Sequence, residues 1–329
     1  MLKTKLNKPI STSKLIFRKE LLDKLENVKG KKLALVSAPA GYGKSTLIGQ
    51  WIDQYSLKYS WYSLDKSDND IVTFLKYTIS GIQSGLTNFG SEAMKLLESN
   101  TNPSYETIAE FLINDFYEVN ESFTIVFDDY HLIENKEINE LIYFLIVNLP
   151  KHVLLVLLTR SDPSIPLARL RSQQLITDIR LADLCFTANN IYDLFKKGLN
   201  LDLTIEDAKN LEAKTEGWIA GLQLTALSLQ GKANIGDFVR SMQGDNRYIV
   251  DYLIEEVLQQ QSQEFRDFLL CTSILDQCNA PLCNFMLDIS NSPVSYTHLR
   301  AHETQEVISN AVFCLKKEGG GGGGGGGGG

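Results

Sequence analysis

The stretch SAPAGYGKSTL, residues 37–47, contains the residue types that bind phosphate. Gly41 and Gly43 permit unusual backbone dihedral angles, so successive N–H groups can point inward at an anion. Lys44 supplies a positive charge, and the Ser45 hydroxyl can ligate Mg²⁺. The stretch therefore predicts a loop that binds a nucleotide through its phosphates. The predicted binding residues are Ala38, Pro39, Ala40, Gly41, Tyr42, Gly43, Lys44, Ser45 and Thr46.

The loop departs at one position from the pattern G-x-x-x-x-G-K-[ST], because Ala38 stands where the first glycine is expected. That position lies at the exit of a strand, where a small residue is enough. An apolar strand is predicted before the loop and a helix after it, so the helix N-terminus would face the phosphates. This context favours a phosphate-binding loop in spite of the alanine.

A second candidate is TIVFDD, residues 124–129, in which an apolar strand ends in two carboxylates. By itself this pattern is typical of a turn at a strand end. Downstream of a phosphate-binding loop it predicts catalysis, since ligands bind at the carboxyl ends of parallel strands. Asp128 would complete the Mg²⁺ site with Ser45, and Asp129 would orient or deprotonate an attacking water.

A third candidate is Arg160, which ends the strand in LLVLLTR. This strand is expected to lie beside the strand of Asp128, where an arginine could sense the γ-phosphate or stabilise developing charge. The alternative is a surface arginine. His131 is interpreted as a packed strand-end histidine in preference to a base. DKSDND, residues 65–70, lacks the glycine and the distal glutamate of a Ca²⁺ loop and predicts a solvated turn and helix cap.

The elements that would position these residues alternate in type. Strands are predicted at 31–38, 59–65, 122–131, 152–160 and, as an edge strand, 175–184; helices at 18–28, 44–55, 70–86, 104–119 and 136–149. Such alternation predicts an α/β fold, a parallel sheet with helices on both faces. From about residue 187 the patterns are helical only, which indicates a second, all-helical region.

Composition excludes several classes of protein. The 329 residues are 43% hydrophobic and 22% charged with a net charge of −8, so the chain has no basic footprint for nucleic acid. The first residues have no apolar core typical of a secretory signal, and no run is long enough to span a bilayer. Five cysteines without C-x-x-C spacing favour free thiols over zinc. A cytoplasmic location is expected.

The last 37 residues differ from the rest. VSYTHLRAHET resembles a translated sequencing adapter, and the chain closes in eleven consecutive glycines. Such a run would be flexible coil. We therefore expect residues 293–329 to be an artefactual disordered tail, the alternative being a linker with a polyglycine tag. His298 and His302 fall in this tail and are left out of every site.

Six motifs in order now carry a resemblance: LALVSAPAGYGKSTLIGQW, WYSLD, IVFDDYHLI, LLTRSDP, LR and GWIAGLQLTALSL. Residues 1–292 resemble the nucleotide-binding region of the MalT-like subgroup of LuxR-type transcriptional activators, which are STAND-class P-loop ATPases. The resemblance implies a P-loop ATPase domain at 1–186, a helical nucleotide-binding subdomain at 187–243 and the start of a winged-helix domain at 244–292.

The resemblance also implies a switch. ADP would be bound at rest, ATP with an inducer would drive self-association, and slow hydrolysis would reset the protein. The roles of Lys44, Ser45, Asp128, Asp129 and Arg160 carry over, and Arg18 would approach the adenine side. The family's sensor and its DNA-binding helix-turn-helix do not match any part of this sequence, so the polypeptide itself is expected neither to bind promoter DNA nor to sense an inducer.

Three other functions remain open at this point. A motor ATPase related to the AAA+ class would hydrolyse ATP fast, with stimulation by DNA. A P-loop kinase or phosphotransferase would need an arginine-rich lid, for which only Arg169, Arg171 and Arg180 are candidates. A non-enzymatic nucleotide-binding scaffold would not depend on Asp129.

Overall fold

The computed structural model describes residues 2–9, 16, 18–26, 28, 30–99, 104–229, 236 and 239. The chain divides into two compact units, Met1–Cys185 and Phe186–Gly329. The predicted winged-helix segment 244–292 and the tail 293–329 lie outside the described residues. The two domain predictions that concern them therefore stay predictions.

The first unit is built on a five-stranded sheet in the order β2-β3-β4-β1-β5. All four pairings between neighbouring strands are parallel. The strands are β1 Leu33–Ser37, β2 Tyr59–Ser63, β3 Phe123–Asp128, β4 Val153–Thr159 and β5 Ile176–Arg180. Each predicted strand is thus present, and β5 occupies an edge as predicted. The segment 175–184 does not stay extended to its end, because residues 181–184 turn into a short helix.

Helices connect the strands and continue into the second unit. They are α1 Lys19–Glu26, α2 Lys44–Tyr55, α3 Ile71–Gln83, α4 Ser91–Glu98, α5 Tyr105–Glu118, α6 Lys136–Asn148, α7 Leu167–Ser172, α8 Leu181–Leu184, α9 Ala188–Asp193, α10 Ile205–Thr215 and α11 Ile219–Leu229. Three short 3₁₀ turns, Lys3–Leu6, Lys66–Asn69 and Tyr130–Leu132, and a π-helical turn, Leu194–Gly198, complete them.

Side-chain caps explain where several helices begin. Asp70 accepts from the Thr73 N–H at 2.8 Å and starts α3, and Ser104 accepts from the Thr107 N–H and starts α5, as its sequence predicted. These oxygens satisfy N–H groups that have no partner inside the helix.

Both faces of the sheet are covered. Leu33, Leu35, Phe127 and Leu157 belong to a core cluster shared with α3 to α7. The residues between them along the strands point the other way; Ala34 is one of these, and it is also fully buried. Since alternate residues of a strand face opposite sides, helices must pack on each face. The predicted α/β fold with helices on both faces is confirmed.

The described part of the second unit is helical, as predicted. Leu211 and Leu222 are fully buried and Trp218 is nearly so, which agrees with the interpretation of Trp218 as a core residue. The Trp218 ring lies against Gly221, where an added Cβ would come within 2.6 Å of it. Across the residues described in both units, no helix has the length and apolar character needed to cross a membrane.

Candidate nucleotide-binding site

The predicted phosphate-binding loop connects β1 to α2. Gly41 and Gly43 have φ angles of +76° and +77°, a region that favours glycine. Gly43 is the N-cap of α2, so the loop leads directly into the helix N-terminus. Ala38 is buried at the end of β1, and its N–H donates to the Thr159 carbonyl at 3.2 Å. The structure therefore places a small residue at the strand exit and glycines where the backbone turns.

Lys44 lies within this loop and is only 8% exposed. Its Nζ donates to the carbonyls of Ala38 at 2.7 Å and Pro39 at 2.9 Å. Burial lowers the pKa of Lys44 to about 8, helped by the positive charge of Arg160 and opposed by the two aspartates after β3. An ammonium group held in this way is short of anionic partners, which is the setting in which a phosphate is bound favourably.

Asp128 meets the loop from β3. Its Oδ1 accepts from the Ser45 hydroxyl at 3.0 Å and from the Asp129 N–H at 3.0 Å. Burial and the neighbouring charge of Asp129 raise the pKa of Asp128 to about 6, although the hydrogen bond from Ser45 and the charge of Lys44 oppose the shift. A hydroxyl and a carboxylate oxygen in contact at a helix N-terminus fit the oxygen ligands that Mg²⁺ takes together with nucleotide phosphates.

Within the described residues there is no group of three or more His, Cys, Asp or Glu side chains that could hold a metal. Cys185 is half-buried and has a free thiol, and the other four cysteines lie outside the described part of the chain.

Asp129 lies directly after β3 in the left-handed backbone region, with φ at +57°. Its carboxylate is 46% exposed and lies 3.8 Å from the Nδ1 atom of His131. That Nδ1 atom is buried and has no hydrogen bond from any described residue. Burial and the charges of Arg160 and Lys44 lower the pKa of His131 to about 4, so the ring is neutral at pH 7.

Arg160 follows β4, which pairs with β3 as the sequence predicted. Its charge acts on both Lys44 and His131, which places the guanidinium within electrostatic reach of the loop and of the segment after β3. The structure thus brings together Lys44, Ser45, Asp128, Asp129 and Arg160 at one edge of the sheet. Their roles in catalysis stay predictions.

Arg18 has a different environment from the rest of the predicted site. Its guanidinium donates to the carbonyls of Asp183 at 2.7 Å, Leu184 at 2.6 Å and Cys185 at 2.9 Å, at the C-terminal end of α8. The electrostatic influence of Cys185 extends to the loop residue Tyr42, which burial holds at a pKa of about 12. The contacts of Arg18 are thus with the end of α8, and its predicted approach to adenine stays a prediction.

Asn69 contacts the segment that carries Asp129, a feature that sequence analysis missed. Its side chain bonds the main chain of residues 132–135. DKSDND indicated a turn and a cap, and the capping box of Asp65 and Asp68 is present. Asp68, however, is fully buried, so the expected solvated turn is wrong for this residue. Nothing in the local pattern identifies the partner of Asn69, because that partner lies more than sixty positions away.

The geometry defines the class of protein. A parallel sheet, a glycine loop that opens a helix, and a lysine, a serine and an aspartate meeting at the carboxyl edge are the parts of a P-loop NTPase. A Walker-type ATPase of Pyrococcus abyssi has a similar fold, with a TM-score of 0.58 and 14% identity over 92% of this chain and 96% of its own. At this identity the likeness shows the fold alone.

Sequence similarity is more specific. The HTH-type transcriptional regulator MalT of Yersinia pestis (strain Pestoides F) is 33% identical over 285 residues, and that of Yersinia enterocolitica is equally similar. The match covers 86% of this chain and 31% of the relative, so the chain spans about a third of the length of these regulators. Residues 254–305 match the model of the MalT winged helix domain. The resemblance to MalT-like regulators is therefore confirmed.

Proposed function

We propose that this chain contains the ATP-binding and slowly hydrolysing switch module of a MalT-type transcriptional regulator. The observation that carries the proposal is the contact of Ser45 with Asp128 at 3.0 Å, next to the buried Lys44. A hydroxyl, a carboxylate and a cation converge there at the N-terminus of α2, where the loop glycines turn the backbone. This combination serves a Mg²⁺-nucleotide and has no evident purpose in stability, since it buries charge without pairing it fully.

Each group has a role in the proposed chemistry. The loop from Ala38 to Thr46 would hold the phosphates of ATP or ADP, and Lys44 would neutralise the β- and γ-phosphates. Ser45 and Asp128 would hold Mg²⁺, which supplies charge neutralisation when bound. Asp129 would orient or deprotonate the water that attacks the γ-phosphate, and Arg160 would respond to the γ-phosphate.

A binding and turnover measurement tests the proposal. Fluorescent ADP and ATP analogues should bind the purified chain in a Mg²⁺-dependent manner, and ATP should turn over well below the rates of metabolic enzymes. Lys44→Ala should lose most of the affinity. Absence of nucleotide binding would contradict the proposal, and so would fast hydrolysis stimulated by DNA, which is the property of a motor.

The transferase alternative has less support from the structure. Two of the arginines considered for a lid are engaged by carboxylates instead: Arg171 binds Asp178 at 2.9 Å, and Arg180 binds Asp178 and Asp162. Their charges are thereby neutralised at the edge strand β5. A screen that finds phosphoryl transfer to a small acceptor would revive this alternative.

Further properties of the proposed regulator concern more than this chain. DNA binding through a helix-turn-helix is supported by the similarity to HTH-type transcriptional regulators, and self-association with ATP and a cytoplasmic location are proposed together with it. Light scattering of the chain with ADP and with a non-hydrolysable ATP analogue would show whether the module itself changes its association state.

A further inference from the structure

Asn69 forms an unusually complete set of bonds with a segment distant in sequence. Its Nδ2 donates to the Leu132 carbonyl at 2.7 Å, and its Oδ1 accepts from the N–H groups of Glu134 at 2.7 Å and Asn135 at 3.0 Å. One amide side chain thus satisfies three main-chain groups of this segment, and its Nδ2 also donates to the Lys66 carbonyl of its own turn at 3.2 Å. Because a hydrogen bond fixes direction as well as distance, three bonds from one planar group define the course of this segment.

The segment that Asn69 holds runs from Asp129 to the start of α6. The Leu132 N–H donates to the Asp129 carbonyl at 3.1 Å, which closes a 3₁₀ turn directly behind the aspartate. Asp129 itself has φ at +57°, a conformation that is costly for a residue with a side chain. Such a conformation persists only where the surrounding structure holds it. The bonds to Leu132 and beyond are therefore part of what holds Asp129.

A reciprocal bond joins the two partners from the other direction. Asn135 Nδ2 donates to the Asn69 carbonyl at 2.8 Å, while Asn135 Oδ1 accepts from the Glu137 N–H at 2.8 Å and caps α6. Asn69 is thereby connected to a helix whose apolar side is buried in the core. The segment after Asp129 is fixed between this helix and the end of β3.

The turn that carries Asn69 is itself held by contacts with the rest of the first unit. Asp68, fully buried, accepts from the Asp65 N–H at 2.8 Å and from Lys5 Nζ at 2.8 Å. The Leu64 N–H donates to the Asp128 carbonyl at 3.0 Å, which ties the start of this turn to the end of β3. Because its own turn is fixed by these bonds, Asn69 can position the segment that it contacts.

We propose that Asn69 is a positioning residue for ATP hydrolysis, which holds the segment 129–135 so that the Asp129 carboxylate faces the attacking water. The inference rests on the proposed function and adds a residue outside the phosphate loop and the ends of β3 and β4. Asn69 is not expected to touch the nucleotide. Its loss should thus alter the chemical step and leave the binding of ATP and ADP nearly unchanged.

The test compares variants of the full chain under single-turnover conditions with Mg²⁺-ATP. Asn69→Ala should lower the rate of hydrolysis about ten- to a hundredfold, because small displacements of a catalytic group have effects of this order. The dissociation constants of ATP and ADP should stay within about twofold. Asn69→Asp retains acceptors for the N–H groups of Glu134 and Asn135 and loses the donor to Leu132. Its rate of hydrolysis should therefore lie between that of the parent chain and that of Asn69→Ala.

Asn148→Ala is a matched control. Asn148 Nδ2 donates to the Phe144 carbonyl at 2.8 Å in an exposed position at the end of α6, so the substitution removes an amide bond away from Asp129. Its rate should equal that of the parent chain. Melting curves of all variants show whether each is folded. If Asn69→Ala is not folded, the hydrolysis rate of Asn69→Asp tests the inference.

Two results would overturn the inference. One is hydrolysis by the folded Asn69 variant at the parental rate. The other is a loss of nucleotide affinity as large as the loss of rate, which would make Asn69 part of binding. A parent chain that binds no nucleotide or never hydrolyses ATP would instead refute the proposed function, and this outcome is distinguishable because it appears before any substitution is made.

Discussion

Two pairs of aspartates follow neighbouring strands at the same edge of the sheet, and the structure treats them in opposite ways. Asp65 and Asp68 follow β2, and Lys5 Nζ lies 2.7 Å from the first and 2.8 Å from the second. Asp128 ends β3, which pairs with β2, and Asp129 follows it. The Asp128 carboxylate accepts from the Ser45 hydroxyl and from the Asp129 N–H, and the Asp129 carboxylate lies 3.8 Å from His131 Nδ1. The first pair is therefore neutralised by Lys5, a residue of the same chain.

The electrostatic outcome differs accordingly. Hydrogen bonds from Lys5 and Ser67 lower the pKa of Asp65 to about 2. Burial and the charge of Asp129 raise the pKa of Asp128 to about 6. Residue type and position in the fold are therefore not enough to distinguish a structural carboxylate pair from a functional one. The difference lies in which pair the chain neutralises itself and which it leaves to a ligand.

The largest effect is expected from Asp129→Asn. Removal of a general base or of the group that orients water costs about a hundredfold or more in rate, so single-turnover hydrolysis should fall by at least this factor. Nucleotide affinity should be retained, because the phosphates are held by the loop. Quenched-flow measurement of ADP formation, with parallel titration of ATP, checks both. Hydrolysis near the parental rate would contradict the distinction between the two pairs, because the second pair would then be structural as well.

Lys5→Met tests the first pair. The substitution leaves the fully buried Asp68 carboxylate without its cation, and breaking a buried pair costs about 3 kcal/mol in the free energy of unfolding. Denaturant unfolding measures the change. Lys8→Met is the matched control, since Lys8 lies in the same N-terminal segment and pairs with Asp53, whose side chain is 71% exposed. A pair of this kind contributes at most about 1 kcal/mol. Equal effects of the two substitutions would show that Asp68 does not need Lys5.

Local pattern was enough to predict the sheet. Continuous apolar runs such as those of β1 and β4 are characteristic of strands buried on both faces, and the glycines and Lys44 of the loop are adjacent in sequence. The motifs placed the strand that ends before Arg160 beside the strand of Asp128, and β3 and β4 are indeed neighbours. The sequence also indicated Asp128 and Asp129, because a strand delivers them to the edge where ligands bind.

Contacts between distant segments could not be predicted in the same way. The contact of Lys5 with Asp68 joins an N-terminal turn to the loop after β2, and no spacing rule relates the two. The local pattern therefore predicted a solvated Asp68, which the structure shows to be buried. Asn69 is the same case, since turn chemistry explains why an asparagine is favourable there but not which main-chain groups it bonds. The short helices α4, α7 and α8 were also missed, because their few residues give too little periodicity.

The smallest effect, and the one most specific to the comparison, is expected from Asp128→Asn without nucleotide or Mg²⁺. The folded chain raises the pKa of Asp128 from 3.8 to about 6, so between these values the native state holds a proton that the unfolded state has lost. The free energy of unfolding of the parent chain should therefore fall as pH rises through this window. Relative to the parent chain, Asp128→Asn should raise the free energy of unfolding by about 1–2 kcal/mol at pH 7 and by much less at pH 4.

Asp65→Asn should instead lower the free energy of unfolding at neutral pH, because the pKa of Asp65 is lowered to about 2 and its charged form stabilises the fold. Urea unfolding at several pH values measures both, and the same sign for the two substitutions would contradict the distinction between the pairs.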